Sequence, residues 1–284
     1  MKIKHYKIQF IKKLVPIYDE MEAESFFYLL LEDKRNLKRI DLALNNNLEF
    51  TALEIQNWDE ITALLITEIP IQYIIGNTSF YGLDFEVNKN VLIPRPETEE
   101  LVDWIIQENK THSKLIKILD IGTGSGCIAI SLAKNLPNAV VYAIDICENA
   151  LDLAKKNAQK NNLIVAFTKK NILETEDLLD YFDIIVSNPP YVRHLEKAAI
   201  KKNVLENEPH LALFVENTDA LIFYKKIAAL ALRNLTENGK LYFEINQYLA
   251  KETIELLEKM GFKNIELRQD IYGNDRMVKA SINL

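Results

Sequence analysis

Apolar residues recur at helical spacing through the first quarter of the chain, with clusters at residues 23–31, 40–44 and 53–65. Spacings of three and four residues place such side chains on one face of a helix. The segment before Gly76 contains no glycine, a residue that weakens helices. The pattern therefore predicts an all-helical N-terminal domain over residues 1–75.

The pattern changes between residues 73 and 96. Gly76 and Gly82 interrupt a segment rich in aromatic and β-branched residues, from Tyr73 to Val87, which predicts a β-hairpin. We interpret residues 76–96 as hairpin and linker. The next helix is expected to begin near Thr98, a favourable capping residue with acidic neighbours.

Strands alternate with helices from residue 97 onward. Short apolar runs predict strands at residues 117–121, 140–144, 164–169, 182–187 and 240–245, and longer periodic segments predict helices at 127–135, 150–161 and 221–234. The alternation predicts an α/β domain over residues 97–284, with a mostly parallel sheet covered on both faces. Residues 263–268 and 276–282 are strand-like and are expected to add antiparallel pairing at one edge.

The composition is that of a globular protein and narrows the range of partners. The chain has 284 residues, of which 48% are hydrophobic and 26% charged, and its net charge is −7. Binding through many phosphate contacts requires an excess of Lys and Arg, so we expect no direct nucleic-acid binding. The basic N-terminus is interpreted as a solvated helix face.

Cysteine, histidine and apolar residues are distributed as in a protein of a reducing compartment. Cys127, Cys147 and four scattered histidines show neither a disulfide framework nor the spacing of metal ligands. No run approaches the ~18 apolar residues of a membrane span, and lysines interrupt the N-terminus before a signal peptide could form. We therefore expect a cytoplasmic protein without a metal site or a membrane segment.

A glycine-rich loop, Gly122-Thr123-Gly124-Ser125-Gly126, follows the first strand of the α/β domain. Glycines at alternate positions allow a sharp turn and the close approach of a ligand. Asp145 ends the second strand, where a carboxylate can accept hydrogen bonds from both hydroxyls of a ribose. A dinucleotide loop would place glycine or alanine where this chain has Cys127. The early third glycine instead resembles the first motif of S-adenosylmethionine-dependent methyltransferases.

Three more residues near this loop are candidates for the same ligand. Asp120 either faces the ammonium group of the cofactor or caps the loop as a buried acid. Asn171 and Ile172 follow the third strand, where topology places the contacts to an adenine.

The most informative stretch is Asn188-Pro189-Pro190-Tyr191, directly after the apolar run 182–187. The two prolines fix φ and remove two backbone donors, so the stretch presents the Asn188 side-chain oxygen and free carbonyls beside an aromatic ring. Such a hook suits a planar NH₂ group. The alternative is a strand terminator or a cis-proline turn without further function.

Five stretches together resemble the bacterial release-factor glutamine methyltransferases (the HemK family). They lie at residues 93–99, 120–129, 187–192, 208–213 and 273–276. The Asn-Pro-Pro-Tyr stretch also occurs in adenine and other amino methyltransferases. Pro-Arg-Pro-Glu-Thr-Glu, beside a helical N-terminal segment, is much more specific.

The resemblance implies a class I methyltransferase fold, which is Rossmann-like, with S-adenosylmethionine as methyl donor. It implies that the acceptor is the glutamine of the Gly-Gly-Gln loop of peptide-chain release factors, and that the N-terminal domain helps to dock them. By position, Gly122 to Gly126 and Asp145 would hold the cofactor, and Asn188 to Tyr191 would hold the glutamine, with Asn188 also near the cofactor. Ile172 departs from relatives that carry an aromatic residue there.

The expected mechanism depends on positioning. The Asn188 oxygen and the Pro189 carbonyl would each accept one N–H of the glutamine, and Tyr191 would pack on the amide plane. His194 and His210 are expected to be loop or core histidines. We expect Arg276 to form a structural ion pair with an acid such as Asp270 or Asp275.

Four other functions compete with this interpretation. A glutamine methyltransferase of a ribosomal protein is similar, but resembles the chain less at residues 96–98. An adenine-directed nucleic-acid methyltransferase would use the same hook, and the acidic charge counts against it. The glycine spacing disfavours a nicotinamide-dependent oxidoreductase. The intact loop, Asp145 and hook disfavour a non-catalytic binding module.

Overall fold

The computed structural model describes residues 1–111 and 114–283. The chain forms two units, one made of Met1–Gly76 with Lys201–Asn207, the other of Asn77–Ile200 with the segment from Glu208 onward. Our division into residues 1–75, 76–96 and 97–284 stays a prediction. It did not anticipate that residues 201–207 group with the N-terminal unit.

The N-terminal unit is helical, as its periodicity predicted. Its helices are α1 (Ile3–Leu14), α2 (Glu20–Arg35), α3 (Arg39–Leu44), α4 (Ala52–Ile66), α5 (Ile71–Ile75) and, from the distant segment, α9 (Lys202–Asn207). The indole of Trp58 is buried among the rings of Phe10, Phe27 and Phe50, with ring centroids 4.9–5.9 Å apart. These aromatic contacts give the unit a hydrophobic core of its own.

The second unit begins with a β-hairpin and continues as an α/β sheet with its helices. Its strands are β1 (Asn77–Phe80), β2 (Leu83–Glu86), β3 (Ile116–Ile121), β4 (Ala139–Asp145), β5 (Ala166–Lys169), β6 (Phe182–Ser187), β7 (Val192–Arg193), β8 (Phe214–Val215), β9 (Leu235–Glu244), β10 (Lys263–Gln269) and β11 (Asp275–Ser281). Its helices are α6 (Pro96–Asn109), α7 (Cys127–Asn135), α8 (Glu148–Lys160), α10 (His210–Leu213), α11 (Ile222–Asn234) and α12 (Ala250–Met260).

The main sheet has the strand order β10-β11-β9-β6-β3-β4-β5. Its pairs are parallel except those made by β11, which confirms the predicted antiparallel edge. The chain runs outward from β3 to β4 and β5 on one side, then returns to β6 on the other. A reversal of this kind opens a crevice at the carboxyl ends of β3 and β6, and α/β folds bind their ligands in such a crevice.

Both faces of the sheet are covered. Ile184 and Val186 of β6 point into the core formed with α6 and α7, whereas Ile185 points into the core formed with α11 and α12. The alternation follows from the two-residue period of a strand. Because β6 ends at the crevice, the residues that follow β6 lie at the edge of the crevice.

Two expectations about secondary structure were wrong, and one helix was missed. Residues 71–75 form a helix that ends at Gly76 with φ of 80°, so the hairpin starts only at Asn77. Thr98 does not cap α6, which begins with Pro96 after an Arg95 N-cap, and a proline there loses no helical hydrogen bond. Helix α12 was not predicted.

Candidate active site

A cavity of about 320 Å³ opens at the carboxyl ends of the parallel strands. Ten of the residues selected from the sequence line it: Gly122, Thr123, Gly124, Ser125, Asp145, Asn171, Ile172, Asn188, Pro189 and Pro190. Its wall otherwise includes Leu92, Pro94, Arg95, Thr98, Leu211 and Phe223, among others. Gly126 and Tyr191, also selected, are not in the wall of this cavity.

The glycines of the loop have two different functions. Gly122 and Gly124 have φ values of 76° and 55°, and a Cβ built on either would meet no atom within 4 Å. Their backbone is therefore open toward the cavity. A Cβ on Gly126 would lie 2.9 Å from the Ile130 Cδ1 atom and 3.1 Å from the Ala154 Cβ atom, so Gly126 serves the packing of α7 against α8.

Asp145 is fixed at the end of β4 by backbone donors. Its Oδ2 atom accepts the Gly124 N–H at 2.9 Å, and its Oδ1 atom accepts the Cys147 N–H at 2.9 Å. Each carboxylate oxygen can accept more than one hydrogen bond. Asp145 can therefore bind ribose hydroxyls from the cavity while it also holds the glycine loop in place.

Asp120 is fully buried beneath the loop. Its Oδ2 atom accepts a hydrogen bond from the Thr123 hydroxyl at 2.6 Å, which is the loop-capping arrangement considered from the sequence. Burial raises the pKa of Asp120 to about 7 against the hydrogen bonds that stabilise its anion. Its Oδ1 atom has no partner among the described residues. Asp120 lies behind the loop and is not in the wall of the cavity.

Asn171 and Ile172 lie where the sequence placed them, after β5. The Asn171 Oδ1 atom accepts the Leu173 N–H at 3.1 Å and begins a short 3₁₀ turn. Ile172 is buried and belongs to the core under the cavity floor. Its aliphatic side chain offers an apolar contact at the cavity wall.

Asn188 lies at the centre of a hydrogen-bond chain behind the hook. Its Nδ2 atom donates to the Thr98 hydroxyl oxygen at 3.3 Å, and that hydroxyl donates to the Glu244 Oε2 atom at 2.6 Å. The Tyr191 hydroxyl donates to the other oxygen, Glu244 Oε1, at 3.1 Å. The peptide bonds of the described residues are all trans, so the cis-proline alternative does not apply.

Glu244 is a buried acid that the sequence analysis did not select. Burial raises the pKa of Glu244 above its usual range, an effect that the Thr98 hydrogen bond, the Arg276 charge and the Tyr191 hydroxyl oppose only in part. Burial likewise raises the pKa of Tyr191, so that the phenol remains a donor. The position of Glu244 near the carboxyl end of a predicted strand is a sequence feature that could have indicated it. Many apolar strands end in an acid, so this feature alone does not single it out.

A second buried acid, Glu208, ties two of the family-like stretches together. Its side chain is 1% exposed and forms an ion pair with Arg95, and it accepts the Ile93 N–H at 3.2 Å. Pro94 and Arg95 line the cavity, as do Leu211 and Ala212 just after Glu208. This acid therefore joins two parts of the cavity wall.

The remaining candidates have structural contacts. His194 stacks on the Phe214 ring, and His210 meets the same ring edge-on. Neither histidine lines the cavity. Arg276 forms an ion pair with Asp270 at 3.1 Å, which confirms one of the two expected partners.

Residues 1–111 and 114–283 contain no group of three His, Cys, Asp or Glu side chains able to hold a metal ion. No helix among the same residues has both the length and the apolar character to cross a bilayer.

The sequence matches two family models. Residues 101–213 match the methyltransferase small domain, and residues 10–76 match the PrmC N-terminal domain.

Curated relatives align over nearly the whole chain. A release factor glutamine methyltransferase of Flavobacterium psychrophilum is 62% identical over 99% of both chains. One of Bacteroides thetaiotaomicron is 42% identical over 95% of this chain and 96% of that protein. Among solved structures, a methyltransferase from Pyrococcus furiosus is 20% identical with a TM-score of 0.53, covering 72% of this chain and 92% of the other. The last similarity shows the fold alone.

Proposed function

The chain belongs to the release factor glutamine methyltransferase family, and on that premise we propose the reaction and the residues that carry it. The proposed reaction transfers a methyl group to the side-chain amide nitrogen of the glutamine in the Gly-Gly-Gln motif of peptide-chain release factors. We expect it to take place in the cytoplasm, where release factors act.

The orientation of Asn188 is the observation that carries this proposal. Because its Nδ2 atom donates to Thr98, its Oδ1 atom is turned the other way and can accept a hydrogen bond. No backbone N–H of the described residues donates to the Pro189 carbonyl. Two acceptors beside the cavity match the two N–H groups of a primary amide.

These acceptors supply the electrostatic part of the mechanism. An amide nitrogen is a weak nucleophile because its lone pair is delocalised, and positive charge grows on it as the new bond forms. The Asn188 oxygen and the Pro189 carbonyl stabilise that charge through the two N–H groups and aim the nitrogen at the donor. Pro190 stiffens the hook at the cavity wall. The contacts of Tyr191 support an indirect function, through Glu244, in place of direct packing on the amide.

The methyl donor is S-adenosylmethionine, which when bound supplies a methyl group activated by the positive sulfonium. We propose that Gly122 to Ser125 hold it with their open backbone, and that Asp145 accepts its ribose hydroxyls. Asp120 would stabilise its ammonium group from below the loop, Asn171 and Ile172 would border its adenine, and Asn188 would lie beside it. For Gly126 we propose only that it fixes the loop.

A methyl-transfer assay with isotope-labelled donor tests the proposal. The purified chain is given a release factor, the same factor with its Gly-Gly-Gln glutamine changed to alanine, a ribosomal protein and duplex DNA. We expect label on the unchanged release factor alone, at the glutamine-containing peptide. Label on the ribosomal protein or on DNA, with none on the release factor, would replace the proposal by one of the competing functions.

A further inference from the structure

The hydrogen-bond chain behind the hook has a fixed direction. A threonine hydroxyl has one proton, and Thr98 gives that proton to Glu244, at 2.6 Å. The Thr98 oxygen is then left only with lone pairs, so it can only accept from Asn188. The carboxylate, which cannot donate when ionised, thereby determines which end of the Asn188 amide faces α6.

The fold brings these three residues together from distant parts of the chain. Asn188 follows β6 directly, and Glu244 ends the neighbouring parallel strand β9, where Ser187 pairs with Phe243. Thr98 is in the first turn of α6, 90 residues before Asn188. Thr98 and Glu244 are 3% and 2% exposed, so water does not compete freely for their hydrogen bonds.

We propose that Thr98 and Glu244 are positioning residues, which hold the Asn188 amide with its oxygen toward the acceptor nitrogen. The inference rests on the proposed function. An asparagine amide is nearly symmetric in shape, and a half-turn exchanges its oxygen with its nitrogen. A turned Asn188 would present N–H donors to the N–H donors of the substrate and could not stabilise the growing charge.

Tyr191 completes this arrangement. By donating to Glu244 Oε1 it occupies the carboxylate oxygen that Thr98 does not use, at 3.1 Å. Each Glu244 oxygen thus receives one hydroxyl donor. This explains how Tyr191 acts on the hook although its ring is not in the wall of the cavity.

A purely structural function for the same contacts is the competing explanation, since they also connect α6 to the sheet. The two explanations differ in whether the effect of removing the Thr98 hydroxyl depends on the presence of Asn188. If Thr98 acts through the Asn188 amide, its hydroxyl matters only while Asn188 is present. If it only connects helix and sheet, its loss has the same effect in either background.

The test is a double-mutant cycle with Thr98→Val and Asn188→Ala, in which kcat is measured with saturating donor and release factor. Thr98→Val keeps the shape and removes the hydroxyl, and we expect kcat to fall about tenfold, the effect of one hydrogen bond of about 1.4 kcal/mol. In the Asn188→Ala background the same change should alter kcat less than about twofold. Thr98→Ser should restore kcat to within about threefold of the wild type, because it returns the hydroxyl.

Glu244→Gln tests the direction of the chain. A glutamine amide can donate to Thr98, which frees the threonine proton to turn Asn188 around, and kcat should fall although the side chain keeps its size. Thr236→Val is the control, since Thr236 also donates to a carboxylate, Asp183 at 2.9 Å, at the opposite ends of β9 and β6. It should leave kcat unchanged, because neither Thr236 nor Asp183 lines the cavity.

A measurement without substrate separates this inference from the proposed function. In donor-free ¹⁵N-labelled protein, the Asn188 side-chain NH₂ signal, assigned by its loss in Asn188→Ala, should exchange slowly with solvent and become fast in Thr98→Val. Equal kcat losses in both backgrounds, a serine variant as slow as the valine variant, or unchanged NH₂ exchange would each overturn the positioning function. A wild type that labels no release factor would overturn the proposed function instead, and the exchange result would still stand.

Discussion

The Arg95 guanidinium is held by the Glu208 carboxylate, 113 residues further along the chain, and that carboxylate also accepts the Ile93 N–H. Glu208 is almost completely buried, whereas a third of the Arg95 side chain is exposed. The contact joins two stretches whose neighbours line the cavity. It explains why a Pro-Arg-Pro-Glu-Thr-Glu motif and a distant Glu-Pro segment belong to one site.

Removing one partner of this pair is expected to lower the free energy of unfolding more than replacing both partners with neutral residues. Arg95→Ala leaves the buried Glu208 anion uncompensated and should lower the free energy of unfolding by about 2 kcal/mol, less than for a fully buried pair because Arg95 is partly exposed. Arg95→Met with Glu208→Gln should recover most of that loss. Urea unfolding of the two variants measures the difference, and equal stabilities would show that Glu208 is satisfied without Arg95.

Asn188→Ala is expected to reduce turnover roughly 100-fold while donor binding weakens much less. The variant removes an acceptor that acts on charge formed in the transition state, so the loss falls on kcat. Single-turnover methylation of the release factor and calorimetric titration of the donor separate the two effects. Asn135→Ala is the control, since Asn135 is exposed on α7, is not in the wall of the cavity, and donates its amide N–H to the Ser131 carbonyl. Turnover within a few-fold of the wild type would exclude the hook from the mechanism.

Much of the fold could be predicted because its signals are local. The short apolar runs at 117–121 and 182–187 are almost the observed β3 and β6, and the glycine loop and Asp145 follow such runs directly. The carboxyl ends of parallel strands meet at one edge, so strand order alone brought these residues together. The function of the individual site residues stays a prediction.

The contacts of Thr98 and Gly126 could not be predicted, because each contact joins residues that are far apart in the sequence. Thr98 lies two residues after Pro96 and precedes two acids, which is a helix-start pattern, but its hydroxyl donates to Glu244 instead of capping the helix. Gly126 has the spacing of a ligand-binding glycine, whereas its missing side chain makes room for Ala154 of the next helix. The local sequence cannot show whether Thr98 caps its helix or contacts a distant acid, or whether Gly126 contacts a ligand or makes room for a neighbouring helix.

Alanine substitutions at Gly124 and Gly126 should separate cofactor binding from packing. Gly124→Ala places a side chain at positive φ in open space, so it should cost about 1 kcal/mol of stability and weaken donor binding. Gly126→Ala adds a clash with Ile130 and Ala154 to the same strain and should cost about 2–4 kcal/mol. Thermal unfolding and donor titration of both variants check this order. A Gly126 variant as stable as the Gly124 variant would show that Ile130 and α8 move aside without cost.

Acid should destabilise the protein through Glu108 at the end of α6. Although burial opposes it, hydrogen bonds from Lys240, Lys279 and Tyr242 lower the pKa of Glu108 to about 2. A carboxyl whose pKa is lower in the folded state stabilises the fold above its unfolded pKa of about 4.5, and this stability is lost as the pH falls toward 2. The difference between the two pKa values corresponds to about 3 kcal/mol at neutral pH.

Glu108→Gln is expected to abolish this contribution. Its free energy of unfolding should be lower than that of the wild type at pH 7 and should converge with it near pH 2, because the wild-type carboxyl is then also neutral. Urea unfolding between pH 7 and pH 2 measures the convergence. Glu266→Gln is the matched control, because Glu266 contacts the same Lys279 and is more exposed. If both variants lose the same stability at pH 7, the effect comes from the charge of Lys279 and not from the buried position of Glu108.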